Sequence, residues 1–280
     1  MRELSTQNIT DAVKDLCIAA NTDLSEDVAA ALDQALKNET SPTGREVLRQ
    51  ISQNAALARK EKLPLCQDTG TAVVFIELGQ EVHLTGGTLN AAVNAGVSAG
   101  YTKGYLWRSI VSDPLLRRNS GDNTPAVIHT EIVPGEQIKI GLLCKGGGAE
   151  NKSAVRLFKP TAPLKEIEAF ILETIKQAGP DACPPLIVGV GIGGNFDTVT
   201  LLAKKALLRP VGQHHSGADI AKMEKALLAE ANELGIGPMG LGGVTTALAV
   251  NIEKQPCHIS SLPVAVNIEC HAHRYKNTII

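Results

Sequence analysis

The residues best suited to chemistry are thiols set beside polar turns. Cys66, in LPLCQDTGT at 63–71, is followed at once by the amide of Gln67 and the carboxylate of Asp68. A Thr-Gly pair then leads into the strand-like run AVVFIEL. Cys183 stands before an apolar run in DACPPLIVGVG, and Cys270 closes LPVAVNIEC. A cysteine kept only for packing behaves as a small hydrophobe and belongs inside an element. Three thiols at strand ends, distant in sequence, could converge above one edge of a sheet. Three thiolates are too few for a closed four-ligand site. In a [4Fe–4S] cluster, which usually takes four cysteines, that deficit leaves one iron open as a Lewis acid for a substrate hydroxyl and carboxylate.

Other motifs have competing readings. GVGIGG at 189–194 has the spacing of a dinucleotide loop. No second strand ending in an acid follows to hold a ribose, so its glycines are expected to permit close backbone approach at a strand end. KGGGAENKS at 145–153 lacks the residue order of a phosphate loop, but successive glycines can aim N–H groups at a carboxylate or small anion. PCHISSLPVAVNIECHAHR gathers Cys257, His258, Cys270, His271 and His273. That composition admits a zinc-stabilised binding module without catalysis, although a strand is expected between the two groups.

These residues must be positioned by a chain of 280 residues with 44% hydrophobic and 20% charged content, enough for a large core. A net charge of −2 and 3% aromatics argue against nucleic-acid and anionic-membrane partners. The N-terminal stretch lacks a signal-peptide core and no run reaches membrane-spanning length, so a cytoplasmic protein with free thiols is expected. Residues 1 to about 60 show helical spacing in ITDAVKDLCIAA, SEDVAAALDQAL and GREVLRQISQNAALARK, with Ser25 and Ser41 as candidate caps. Cys17 falls on an apolar helix face and is expected in the core.

From about residue 61 the pattern becomes mixed. TAVVFIELG reads as a strand, GTLNAAVNAGVSAGY as a helix and 112–125 as a loop. AVIHTEIV and QIKIGLLC alternate about a Pro-Gly turn and read as a hairpin ending at Cys144. A helix at PLKEIEAFILETIKQAG, the strand PLIVGVGIGG, helices near NFDTVTLLAKKALL and at ADIAKMEKALLAEANELG, and the late strands GVTTALAVNI and LPVAVNIEC follow. The expectation is a single α/β domain over 1–280, a mixed sheet flanked by helices with a helical N-terminal segment.

LPLCQDTGT, DNTPAVIHTEIVPG, KGGGAENKS, CPPLIVGVGIGG, GIGPMGLGG and PCHISSLPVAVNIECHAHR, in this order from Leu63 to Arg274, together resemble the α subunit of class I fumarate hydratases. The related L(+)-tartrate dehydratase α subunit shares much of the pattern. The resemblance implies that Cys66, Cys183 and Cys270 bind a [4Fe–4S] cluster with a substrate-accessible iron. It implies substrate contacts from Gln67, Arg108 and the backbone of Gly147 or Gly148, and catalytic roles for Asp68 and His258. It further implies a hydro-lyase acting on a small dicarboxylate, most simply fumarate and malate, with tartrate as the alternative. Arg117 and Arg118 read as solvated and Arg274 as structural. The chain shows no strong base for a C–H proton, so a separate β subunit is expected to complete the site in a hetero-oligomer.

Overall fold

The structure, a computed structural model, describes residues 1–280. In chain order its elements are β1 (Arg2–Ser5), α1 (Thr6–Thr22), α2 (Glu26–Asn38), α3 (Pro42–Glu61), β2 (Thr71–Gly79), β3 (Val82–Thr85) and α4 (Leu89–Lys103). They continue as β4 (Val127–Val133), β5 (Ile138–Lys145), α5 (Gly147–Glu150), β6 (Ala154–Phe158), α6 (Leu164–Ala178), β7 (Leu186–Gly194) and α7 (Thr198–Ala206). The last are α8 (Ala218–Glu233), β8 (Ala247–Cys257), β9 (Leu262–Glu269) and β10 (Tyr275–Ile279). The α/β character and the helical opening agree with the sequence reading. The sheet is divided, however, into two of four strands and a parallel pair, β1 with β3. Two compact units result: 1–25 with 55–147 and 274–280, and 26–54 with 148–273.

In the first unit the strand order is β10-β5-β2-β4. The expected hairpin is not formed: β4 and β5 lie on opposite sides of β2, parallel and antiparallel to it respectively. Burial explains the choice. β5 is buried at seven of eight positions and takes a neighbour on each edge, whereas β4 has no buried position and suits an edge. The turn after β4 crosses the end of β2, where Gly79 N donates to Gln137 O (2.9 Å) and Glu81 N to Gly135 O (3.1 Å).

Helices α1 and α4 cover this sheet. Ile9, Val13, Cys17 and Ala20 form a buried stripe on α1. The Ala-rich α4 meets that stripe with Gly96 and Gly100; a Cβ at Gly96 would come within 2.7 Å of Thr10 O. Cys17 and Cys144 are both buried, as packing thiols should be, and Asn21 Nδ2 donates to the Cys144 sulfur at 3.2 Å. Burial pushes the Cys17 thiol up.

In the second unit the order is β6-β9-β7-β8. Along β7, Val188 and Val190 join a core with Ile171 and Ile175 of α6 and Leu227 of α8. The alternate residues, Gly189 and Gly191, face α7, where a Cβ would strike the carbonyls of Ala203 and Val199. GVGIGG is thus a packing surface with large and absent side chains on its two faces, not a phosphate loop.

Buried carboxylates fasten the loops of this unit. Glu39, 2% exposed, accepts from Thr40, Ser41, Val244 and Thr245 N–H groups at 3.0–3.1 Å. Ser41 itself caps α3 by accepting from Gly44 N at 3.2 Å. Glu224 accepts from Arg209 (2.5 Å), Ile252 N (2.8 Å) and His215 N (2.9 Å), tying α8 to β8.

Two outcomes follow from this packing. Gly191→Ala should lower stability by about 1–3 kcal/mol, read by urea unfolding, because α7 must move off β7; unchanged stability would refute the contact. Burial alone would raise the Glu39 carboxyl, but the N–H bonds from Ser41, Val244 and Thr245 outweigh it and hold it below the ordinary 4.5. Its contribution is therefore complete above that value and lost as pH falls through the folded value. The difference in unfolding free energy between wild type and Glu39→Gln should be constant above pH 5.5 and shrink below 4.5.

Candidate active site

In the first unit, the segment Cys66–Gly70 leads into β2 and is held from several sides. Tyr101, buried at the end of α4, points its hydroxyl at the carbonyls of Thr69 (2.7 Å) and Gly70 (2.9 Å). Burial raises the Tyr101 hydroxyl, keeping it a donor. Thr69 Oγ1 donates to Trp107 O at 2.6 Å, and Asn123 Nδ2 to Gly70 O at 3.2 Å. Asn123 Oδ1 in turn accepts from Ser109 N at 2.7 Å. The segment carrying Arg108 is therefore stitched to the segment carrying Asp68.

Asp68 occupies the centre of this group. Its Oδ1 accepts from Gly70 N at 3.0 Å, the local turn expected of Asp-Thr-Gly. Its Oδ2 accepts from Gly147 N at 2.8 Å. The carboxylate that KGGG receives is thus one from its own chain. Behind it lies buried Arg274, whose Nε donates to Cys144 O at 3.0 Å; a Cβ on Gly146 would fall 2.8 Å from its Nη2 and 3.3 Å from Asp68 Oδ2. Gln67 and Arg108 are exposed, Cys66 is half-buried, and the Arg108 guanidinium makes a long 3.4 Å contact to Thr102 while its carbonyl accepts from Asn119 at 2.7 Å. Around Arg108 the loop exposes Tyr105 (92%) and the single tryptophan, Trp107 (69%).

In the second unit Cys183 and Cys270 come to the same end of the sheet. Cys183 follows the short 3-10 turn Gly179–Ala182 in a left-handed conformation, φ 55°, three residues before β7. Cys270 follows β9, whose last residue, Glu269, pairs with Ile187 near the start of β7. His271 joins the two arms: its Nδ1 lies 2.9 Å from Cys183 O, and its N donates to the same oxygen at 3.4 Å. Gly148 belongs to this end as well, since a Cβ there would lie 3.6 Å from Asp181 O.

His258 does not. It sits on the exposed turn between β8 and β9, where β8 ends opposite Gly194 at the far end of β7. The eight residues of β9 separate it from Cys270 by about 25 Å. Ser260 N donates to His258 Nδ1 (3.2 Å) and Ser260 Oγ lies 2.6 Å from it, so a neutral ring carries its proton on outward-facing Nε2. The same strand divides Cys257 and His258 from Cys270, His271 and His273, which removes the compact zinc site. Within neither unit do three His, Cys, Asp or Glu side chains gather as ligands.

Sequence reading missed Tyr101 as the clamp of the Asp68 turn and His271 as the link between two thiol arms. A tyrosine ending an Ala-rich helix carried a weak signal, and the bond to a carbonyl 88 residues away carried none. Tyr101→Phe should cost about 1–2 kcal/mol, because the Thr69 carbonyl loses its donor and the Gly70 carbonyl keeps only Asn123. Urea unfolding checks this, and an unchanged midpoint would show the hydroxyl to be dispensable.

The family described as Fumarate hydratase (Fumerase) matches residues 10–279. A protein of Methanocaldococcus jannaschii named "Putative L(+)-tartrate dehydratase subunit alpha" is 42% identical over 95% of each chain. The L(+)-tartrate dehydratase subunit alpha of Escherichia coli K12 is 30% identical over 98% of this chain and 91% of its own length. A likeness that runs nearly end to end, and takes in the acid turn of the first unit and the paired thiol arms of the second, makes this chain a member of the fumarate hydratase (Fumerase) family, a hydro-lyase of the class I, alpha-subunit type.

Proposed function

We propose that this hydro-lyase interconverts a four-carbon 2-hydroxy dicarboxylate and its unsaturated acid, malate and fumarate first of all, with Cys66, Cys183 and Cys270 holding a [4Fe–4S] cluster. The observation that carries the reading is the division among the free cysteines. Cys17 and Cys144 are sealed in the core, whereas Cys66, Cys183 and Cys270 are half-buried at loop ends. Thiols so placed fit the donor chemistry of an iron–sulfur group. When bound, the cluster would supply an iron with no protein ligand as a Lewis acid toward the substrate hydroxyl.

The chain's own groups have narrower tasks. Arg108, exposed and without a strong internal partner, offers its two-pronged guanidinium to a substrate carboxylate. Gln67 and the backbone of Gly147 and Gly148 orient the bound acid. Asp68 is held by one N–H on each oxygen, so it stands fixed as a proton acceptor or as the orienting partner of one. Removal of water breaks the C3–H and C2–OH bonds; the C–H electron pair becomes the double bond, and the hydroxide leaves with a proton. His258, at the opposite end of its sheet, is given no part in these steps within the chain.

The base for the C3 proton and a second cationic grip are assigned to a separate β subunit, consistent with relatives that are named as alpha subunits. The assembly is a cytoplasmic hetero-oligomer in this reading. No helix is long and apolar enough to cross a membrane. The relatives' names favour a second substrate, tartrate, which carries one more hydroxyl.

Anaerobic reconstitution should load iron and sulfide into the chain. Cys66→Ser, Cys183→Ser and Cys270→Ser should each reduce loading at least about tenfold, while Cys257→Ser leaves it intact. With β present, initial rates on malate, fumarate and tartrate rank the substrates. A chain that takes up zinc but no sulfide, or full turnover without β, would overturn the proposal.

A further inference from the structure

The glycines of KGGGAENKS have no side chains with which to anchor the turn, and Gly147 and Gly148 are exposed. The anchoring comes from the residues just after them. Glu150 Oε1 accepts from Lys204 Nζ of α7 at 2.6 Å, and Glu150 Oε2 from Asn267 Nδ2 of β9 at 2.7 Å. Asn267 Oδ1 accepts from the same lysine at 3.0 Å, closing a three-residue ring. Ser153 Oγ accepts from Asn267 Nδ2 (2.7 Å) and Ile268 N (3.1 Å). Lys152 Nζ reaches Asp181 at 2.6 Å.

The ring's location gives it meaning. Asn267 lies three residues before Cys270 on a strand paired along β7, and Asp181 lies two residues before Cys183. Lys204 keeps 15% of its side-chain exposure and Glu150 42%, so the ion pair is half open to water and depends on the Asn267 amide, which bonds both partners, to hold its geometry. Glu150, Lys204 and Asn267 also line a cavity of about 190 Å³, together with Val155, Ala203 and Ala265.

We propose that Glu150, Lys204 and Asn267 form a positioning unit that fixes the Gly148 turn against α7 and against β9, the strand that leads into Cys270. The unit sets substrate affinity and leaves metal uptake alone. The proposal rests on the hydro-lyase reading for its substrate, and on the geometry alone for the rigidity of the turn.

Lys204→Met and Asn267→Ala test it in the αβ complex, with Lys204→Arg as the conservative control. Hydrogen exchange of amides 148–152 should quicken about tenfold in the first two, with exchange in β7 and β9 unchanged. KM for the 2-hydroxy acid should rise about tenfold with kcat within about twofold, iron and sulfide content staying at the wild-type value. Lys204→Arg should restore most of the affinity. Unchanged exchange, or a kcat loss with unchanged KM, overturns the positioning role. If Asn267→Ala fails to fold, Lys204→Met decides on the same criteria. A wild-type complex with no hydro-lyase rate would defeat the proposed function instead, and the exchange comparison would still decide whether the turn is fixed in this way.

Discussion

Backbone meeting backbone is the constraint on which both units rest. Where α7 crosses β7 and where α4 crosses α1, the interface closes only because Gly189, Gly191, Gly96 and Gly100 add no side chain. The same economy recurs at the loops, where Gly70 lies against the Lys145 backbone and Gly79 against Gly135. Interiors packed this closely transmit a misfit of one methyl group into helix displacement. The thiol-bearing and acid-bearing segments begin at the ends of these strands, so their placement inherits the accuracy of the glycine contacts.

Polar groups complete what the packing starts. Asp68, Glu39, Glu150 and Glu224 each accept at least two hydrogen bonds, and in Glu39 and Glu224 most come from the backbone. A buried carboxylate such as Glu39 or Glu224 is expensive unless its lone pairs are filled. Here the filling partners lie on different elements, so satisfying the charge also fixes the loops. The same logic makes Asp68 structural and available to chemistry at once: the turn that it closes presents the carboxylate beside Cys66 and Gln67.

Much of this was legible in the chain. Three-and-four spacing located α1, α2, α3, α6 and α8, and the interrupted apolar pattern of PLIVGVGIGG pointed to close backbone approach. The partner of a strand was not legible. AVIHTEIV and QIKIGLLC satisfy a hairpin locally, and only the burial of β5 on both edges, a tertiary property, draws β2 between them. β1, β3, β6 and β10 went unseen because they are strands of four or five residues at sheet edges or in a two-stranded pair, with too little pattern to read. Nor does sequence separation give distance: His258 and Cys270, twelve residues apart in the chain, stand a whole strand length apart once the intervening segment extends.

The loop that displays Trp107 gives the molecule a built-in optical label. Its indole is the sole tryptophan, stands mostly in water, and shares a peptide with the carbonyl that Thr69 binds. Tryptophan emission from this chain therefore originates at one point beside Arg108. A macromolecule that dries that surface will move the emission to shorter wavelength, so association there can be followed without attaching a dye.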